Sequence, residues 1–244
     1  VSEVWESPPA REELTRGLSA GELHVWRARL EIPTSERLAL EETLSEDERA
    51  RVARFLFDPD RARFAVSRAF LRAVLGLYLG VAPAVPRFTY GEHGKPALEG
   101  APAFNLSHSG GLALLAVTAA RPAVGVDVEW YREVRPLEGV VERICSTDER
   151  DAFWRLPAEQ RREVFFRIWS RKEAFVKISG AGFSMPVDVV EVSQEPEAAL
   201  VRLDGSREKA GHWSMRALAP GESYSGCVAH EGPPLPLRLW QWSI

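Results

Sequence analysis

The chain has 244 residues, enough for one large domain or two of about 120. With 31 basic against 35 acidic side chains, the net charge is −4, which gives no support to general nucleic-acid binding, since that needs a basic footprint. Two cysteines are too few for a disulfide framework, and the longest clean apolar run, Leu112 to Val117, is far short of the ~20 residues of a bilayer span.

The first twenty residues, charged and carrying Pro and Gly, read as a loose start without the basic-then-apolar order of a secretory signal. A soluble, reducing, cytoplasmic setting is the expectation. Gly21 to Ile32 alternates apolar and polar with period two, a half-buried strand. Ser45 with Glu48 forms a capping box that opens a helix toward Phe57, where Asp58-Pro59 breaks it. A second helix is predicted from about Asp60 to Leu79, with Phe64, Phe70, Leu71, Val74, Leu75 and Leu77 on its apolar face and Arg61, Arg63, Arg68 and Arg72 as basic positions along it. Short extended pieces at Phe88–Tyr90 and Ala103–Leu106 flank a Gly-rich loop, Gly91 to Pro96. Strands follow at Leu112–Thr118 and Ala123–Trp130, then a helix through Val140, Val141 and Ile144. Ser146 with Glu149 caps a further helix, and the strongest helix runs from about Arg161 to Ser179, ended by Gly180-Ala181-Gly182. The last sixty or so residues alternate in short runs between Gly and Pro, as an antiparallel meander does. The fold class is mixed α and β with mainly antiparallel sheets; both halves, divided near Arg121-Pro122, carry strands and helices, yet no repeat is legible residue by residue.

The sharpest chemical feature is Val124-Gly125-Val126-Asp127-Val128-Glu129. Residues i and i+2 of a strand share a side, so Asp127 and Glu129 project together from an apolar element. Such a pair suits a hard divalent cation such as Mg²⁺; an edge strand with two solvated acids gives the same pattern. Glu173 and Lys177, in Trp169-Ser170-Arg171-Lys172-Glu173-Ala174-Phe175-Val176-Lys177, share a helix face. A surface ion pair is the plain reading, but bulky apolar neighbours all round the helix argue against a merely solvated pair. Phe104-Asn105-Leu106-Ser107-His108-Ser109-Gly110-Gly111 places polar groups beside glycines that let a ligand approach the backbone; His108 either holds a turn or meets a phosphate, with Ser107 as a second donor. Gly94-Lys95-Pro96 alone is weak.

In this order, Tyr90 to Pro96, Phe104 to Gly110, Val124 to Glu129, Trp169 to Lys177 and Gly180 to Phe183 resemble the Sfp-type 4′-phosphopantetheinyl transferase superfamily, over roughly residues 44–190. The resemblance implies a monomeric pseudo-dimer of two similar α/β halves: 1–121 for the adenine and 3′-phosphate side of coenzyme A, and 122–244 for Mg²⁺ and the catalytic acids. It implies transfer of phosphopantetheine from the donor, coenzyme A, to a serine of apo acyl or peptidyl carrier proteins, leaving adenosine 3′,5′-bisphosphate. Carried over by position, Asp127, Glu129 and Glu173 are the implied metal ligands, Glu173 the implied base, and Lys177 the implied phosphate contact. Arg51, Arg63, Lys95, Ser107 and His108 match positions around coenzyme A, with Asp127 and Lys177 also on it. One departure is visible: a basic position of the family falls at Glu48.

The carrier's serine must reach the acids, so the segment after the metal strand is the candidate docking surface. Leu137, Val140, Val141 and Ile144 form one helix face there, flanked by Arg132, Arg135 and Arg143; the same face can instead pack on the core. No nucleic acid or membrane is expected as a partner. Another Mg²⁺-dependent phosphoryl-transfer protein is disfavoured because the chain has no Walker-type Gly-x-x-x-x-Gly-Lys-Ser/Thr. The reading from another class is a catalytically inactive relative that binds coenzyme A or carriers.

Overall fold

The computed structural model describes residues 3–91, 94–179 and 186–244. These form two compact units, one of Val4–Ala120 with Pro236–Ile244, the other of Arg121–Leu235 with Glu3. The C-terminal tail, which a division at 121/122 assigns to the second half, thus sits with the first.

The first unit runs α1 (Arg11–Ser19), β1 (Leu23–Arg29), α2 (Thr34–Glu41), α3 (Glu46–Ala53), α4 (Asp58–Leu79), β2 (Thr89–Tyr90), β3 (Pro96–Ala97), β4 (Ala103–Ser109) and β5 (Leu112–Thr118). Pro59 in its first turn starts α4, and Gly80, at φ 70°, ends it in the left-handed conformation that glycine tolerates. Phe70, Leu71, Val74 and Leu75 of α4 bury against Trp26, Ala28, Ala113, Leu115 and Val117 of the sheet, whereas Leu77, expected on the same apolar face, is exposed. Helix α1 replaces part of the loose start read for the first twenty residues, and α2 lies in a stretch for which the sequence predicts no element. Leu14 and Leu18, one turn apart, are the buried residues of α1, whereas α2 has no fully buried residue and packs only through half-buried Leu40.

The second unit runs β6 (Val124–Trp130), α5 (Leu137–Ile144), α6 (Thr147–Trp154), α7 (Ala158–Ser179), a 3-10 turn at Val187–Val189, β7 (Val190–Val192), β8 (Leu200–Leu203), α8 (Arg207–Ala210), β9 (Trp213–Leu218) and β10 (Tyr224–Glu231). The expected helix end at Gly180-Ala181-Gly182 lies outside the described residues. The chain ends with β11 (Leu237–Gln241), which pairs parallel with β1, so the C-terminal run is only partly a meander.

Sheet order reveals the repeat that residue comparison missed. The first unit is ordered β11-β1-β5-β4 and the second β6-β10-β9, each with a long helix between its first strand and its later hairpin. The β1–β5, β4–β5, β6–β10 and β9–β10 pairings are all antiparallel. Each copy also carries a buried carboxylate at the third position of a capped helix, and that carboxylate meets a cation on the long helix. In the first unit Glu48 accepts from Ser45 N–H at 3.0 Å and from Arg72 Nε at 2.5 Å. In the second, Glu149 accepts from Ser146 N–H at 2.8 Å and from Lys172 Nζ at 2.7 Å. Almost everything else differs between the copies, which is why the sequence hides the duplication.

Candidate active site

On α7 most positions from Val164 to Ile178 are buried, and Trp169, Glu173 and Lys177 form a half-exposed stripe along one face. Spacings of four put them one above another, facing β6. Gly125 is what allows the approach: a Cβ there would lie 1.9 Å from the Ala174 carbonyl oxygen, so only glycine lets the helix backbone sit this close. Asp127 and Glu129 follow on the same side of β6.

The acids are held individually. Lys177 Nζ donates to Asp127 Oδ1 at 2.5 Å, so its ammonium sits on the strand acid rather than on Glu173 one turn back. Glu129 accepts from Trp169 Nε1 at 3.0 Å and from Arg132 Nη1 at 3.0 Å. Glu173 Oε1 is buried without a hydrogen-bond partner. Burial, then the charge of Asp127 and that of Glu129, push the Glu173 carboxyl up to about 7, although Lys177 pulls the other way.

Among the described residues no group of three or more His, Cys, Asp or Glu side chains is assembled to hold a metal ion as it stands. The residues nevertheless fit one. The nearby acids destabilise Glu173 in its charged form, its orphaned oxygen needs a partner, and all the donors are hard oxygens. Cys145 and Cys227 are both buried, with their thiols pushed up to about 12, so neither is a ready nucleophile.

The first unit collects some of its candidates and separates others. Arg63 Nη2 donates to Glu31 Oε1 at 2.6 Å, and a Cβ on Gly111 would lie 3.3 Å from the Glu31 carboxyl carbon, so Arg63 and the β4–β5 turn meet at Glu31. The sequence offered no signal for Glu31. Ser107 is buried and His108 exposed, and as consecutive strand residues they point to opposite faces. They therefore do not act as a pair of adjacent donors from one face. Arg51 is exposed, with its guanidinium 5.0 Å from the Phe64 ring centroid. Lys95 lies in the β2–β3 hairpin, its carbonyl accepting from Gly91 N–H at 3.0 Å. Glu48, the departure from the family pattern, is a buried structural acid only 2% exposed.

On α5, Val141 and Ile144 are buried in the second core, while Leu137 and Val140 are half-buried. Much of the face proposed for a carrier is therefore core. Leu137 also borders a groove of about 280 Å³ shared with Arg132, Val134, Arg161, Phe165 and Phe166. Arg143 is exposed, and Arg132 lies 5.5 Å over the Phe166 ring.

Residues 123–229 match the model of the 4′-phosphopantetheinyl transferase superfamily, and residues 32–120 match that of the 4′-phosphopantetheinyl transferase N-terminal domain. The 4′-phosphopantetheinyl transferase HetI of Nostoc sp. is 37% identical over 231 residues, 92% of this chain and 94% of that one. The chain belongs to the 4′-phosphopantetheinyl transferase superfamily. Other transferases match as well. The phosphopantetheinyl transferase of Thraustochytrium sp. is 30% identical over 84% of this chain and 78% of its own. The 4′-phosphopantetheinyl transferase Sfp of Bacillus subtilis is 26% identical over 78% and 84%. A crystal structure of the holo-[acyl-carrier-protein] synthase of Thermotoga maritima covers 46% of this chain and 64% of its own, at 23% identity and a TM-score of 0.36, which adds nothing to the fold assignment. The two matched segments of the transferase fall one in each structural unit, and Asp127, Glu129, Glu173 and Lys177 all lie in the second. Gly180 to Phe183, part of the family motif, lies outside the described residues, as do Glu92 and His93. Among the described residues no helix is long and apolar enough to cross a membrane.

Proposed function

We propose that this phosphopantetheinyl transferase moves 4′-phosphopantetheine from coenzyme A to a serine of an apo acyl or peptidyl carrier protein, in the cytoplasm and as a monomer. The observation that carries this reading is the meeting of β6 and α7, which sets Glu173 within electrostatic reach of Asp127, Glu129 and Lys177. Asp127, Glu129 and Glu173 would hold Mg²⁺, which when bound offsets the negative charge of the pyrophosphate.

The serine hydroxyl attacks the phosphorus that bears the pantetheine arm, forming a new P–O bond as the bond to the bisphosphate breaks. Glu173 takes the hydroxyl proton, directly or through a water, on a carboxylate whose Oε1 has no hydrogen-bond partner. Lys177, whose ammonium lies on Asp127, reaches the donor phosphate when coenzyme A is bound and stabilises charge on the departing oxygen. Gly125 fixes the spacing, and Trp169 and Arg132 hold Glu129 in line.

In the first unit Arg63, His108 and Arg51 favour the 3′-phosphate, Ser107, which faces away from His108 on β4, serves another part of coenzyme A, and Lys95 meets the donor from the hairpin. Charged groups on a phosphate make strong hydrogen bonds. The carrier approaches over the groove lined by Leu137 and Arg132, with Val140 and Arg143 farther along α5. Arginines there steer an acidic partner. The test compares kinetics of Arg63→Ala with coenzyme A and its 3′-dephospho form. A narrowed preference with higher KM for coenzyme A supports the assignment, and an unchanged ratio removes Arg63 from the pocket.

A further inference from the structure

Among the described residues, the β2–β3 hairpin that carries Lys95 pairs only Thr89 with Ala97 and Tyr90 with Pro96, and it belongs to neither main sheet. Two strands that short do not hold an orientation by themselves. The chain around the hairpin is instead clamped to α4 through Glu48. One oxygen of this buried carboxylate accepts from Arg68 Nε at 2.8 Å and the other from Arg72 Nε at 2.5 Å. Arg72 Nη1 then donates to the carbonyls of Pro83 at 3.2 Å and Pro86 at 3.0 Å, fixing the approach to the hairpin. Arg68 Nη2 donates to the Tyr90 hydroxyl at 2.8 Å, fixing the first strand of the hairpin itself. Between these arms the Phe88 ring lies 5.0 Å from the Arg68 guanidinium and 5.4 Å from that of Arg72.

The second unit shows what this clamp looks like with one arm. Lys172 Nζ reaches Glu149 and the carbonyls of Val187 at 3.1 Å and Val190 at 2.5 Å, as Arg72 reaches Pro83 and Pro86. One turn before Lys172 stands Ile168, where the first unit has Arg68 one turn before Arg72. The Arg68–Tyr90 arm is thus an addition to the shared clamp, made in the unit whose hairpin presents a lysine. Tyr90 is 41% exposed, so its hydroxyl contributes little to the core.

We infer that Tyr90, held by Arg68 on buried Glu48, is a positioning residue for coenzyme A that orients the hairpin bearing Lys95. This rests on the reading of Lys95 as a coenzyme A contact. It also gives Glu48 a role: an acid where the family pattern has a base serves the donor indirectly, by holding the two arginines that aim the hairpin.

The experiment is a double-mutant cycle on the full chain, with kinetics for coenzyme A and for an apo carrier. Tyr90→Phe removes only the hydroxyl. It should raise KM for coenzyme A by about three- to tenfold, the range that loss of one ordinary intramolecular hydrogen bond gives, because Tyr90 is partly exposed. Its kcat and KM for the carrier should stay within about twofold, since the transferred group and serine lie elsewhere. Lys95→Ala should raise KM for coenzyme A comparably, and the double variant should add little to Lys95→Ala alone, because coupled groups are not additive. If Lys95→Ala leaves KM unchanged, the reading of Lys95 falls, and this inference with it. If Lys95→Ala raises KM while Tyr90→Phe does not, or if the two effects multiply fully, Lys95 stands and the positioning role of Tyr90 is wrong. A lowered melting temperature for Tyr90→Phe without a KM change also overturns it.

Discussion

In the proposed mechanism most of the chemistry turns on Glu173, and its charge state has a consequence that needs no substrate. Its folded value of about 7 lies above the ordinary 4.5. The protonated form therefore favours the fold, and that contribution is fully present below 4.5 and lost as pH rises through 7. In chelator-treated protein, Glu173→Gln should melt at a higher temperature than the parent at pH 8, with the gap closing near pH 5. Equal melting at both values would mean that neighbouring acids do not strain Glu173. Adding Mg²⁺ at pH 8 should stabilise the parent more than Glu173→Gln, since a ligand bound only by the folded state raises stability. At this scale the sequence was informative about identities and silent about pairings. Asp127 and Glu129 stand two apart on a strand and can be read directly. That Lys177 lies on Asp127 rather than beside Glu173 depends on how α7 lies against β6, which no local spacing encodes.

That packing belongs to the elements, and Gly125 controls it. Gly125→Ala forces Cβ into the Ala174 carbonyl and must push α7 off β6. Overpacking of this kind costs about 1–3 kcal/mol, and a displacement that separates the acids should lower kcat more than it raises KM for coenzyme A. Urea denaturation with steady-state kinetics checks both, and a stable, fully active variant would show that the close approach is dispensable. The Glu48 clamp makes a second element-scale prediction. Burial alone would raise the Glu48 carboxyl, but the Arg68 charge, the Ser45 N–H and the Arg72 hydrogen bond outweigh it, leaving the value below 4.5. Its stabilisation is therefore present above 4.5 and lost as pH falls through the lower folded value. Glu48→Gln should cost about 3–5 kcal/mol at neutral pH, because Arg68 and Arg72 lose a buried counter-ion. It should also flatten the acid limb of a stability profile, and an unaltered limb would contradict the assignment. Both capping boxes were legible as helix starts. Their second task, holding a cation on the long helix, was not, because the partners lie twenty and more residues away.

Across the whole molecule, one topology occurs twice and only one copy carries the acids. At the place of Gly125 against Ile178, the first unit packs His24 against Tyr78, with His24 Nδ1 2.6 Å from the Tyr78 hydroxyl. Continuing in register, Trp26 and Ala28 stand where Asp127 and Glu129 do, and both are fully buried. Calorimetric titration of the full chain should therefore find one strong Mg²⁺ site, abolished by Asp127→Ala; a second site of similar strength would place ligands outside β6 and α7. The fold class followed from alternation and helical periodicity, but the duplication did not, since Trp26 and Asp127 share a position without sharing chemistry. The parallel pairing of β11 with β1 was equally hidden, because the last strand joins residues more than two hundred positions away. The most direct test of the central claim is mass spectrometry of an apo carrier protein incubated with coenzyme A, Mg²⁺ and the enzyme. The parent should convert the carrier serine to its phosphopantetheine adduct in a chelator-sensitive reaction, and Glu173→Gln, still binding coenzyme A, should leave the carrier almost unmodified. A parent enzyme that forms no adduct on any of a panel of fatty-acid, polyketide and peptide-synthetase carriers, or a Glu173→Gln variant as fast as the parent, would contradict it.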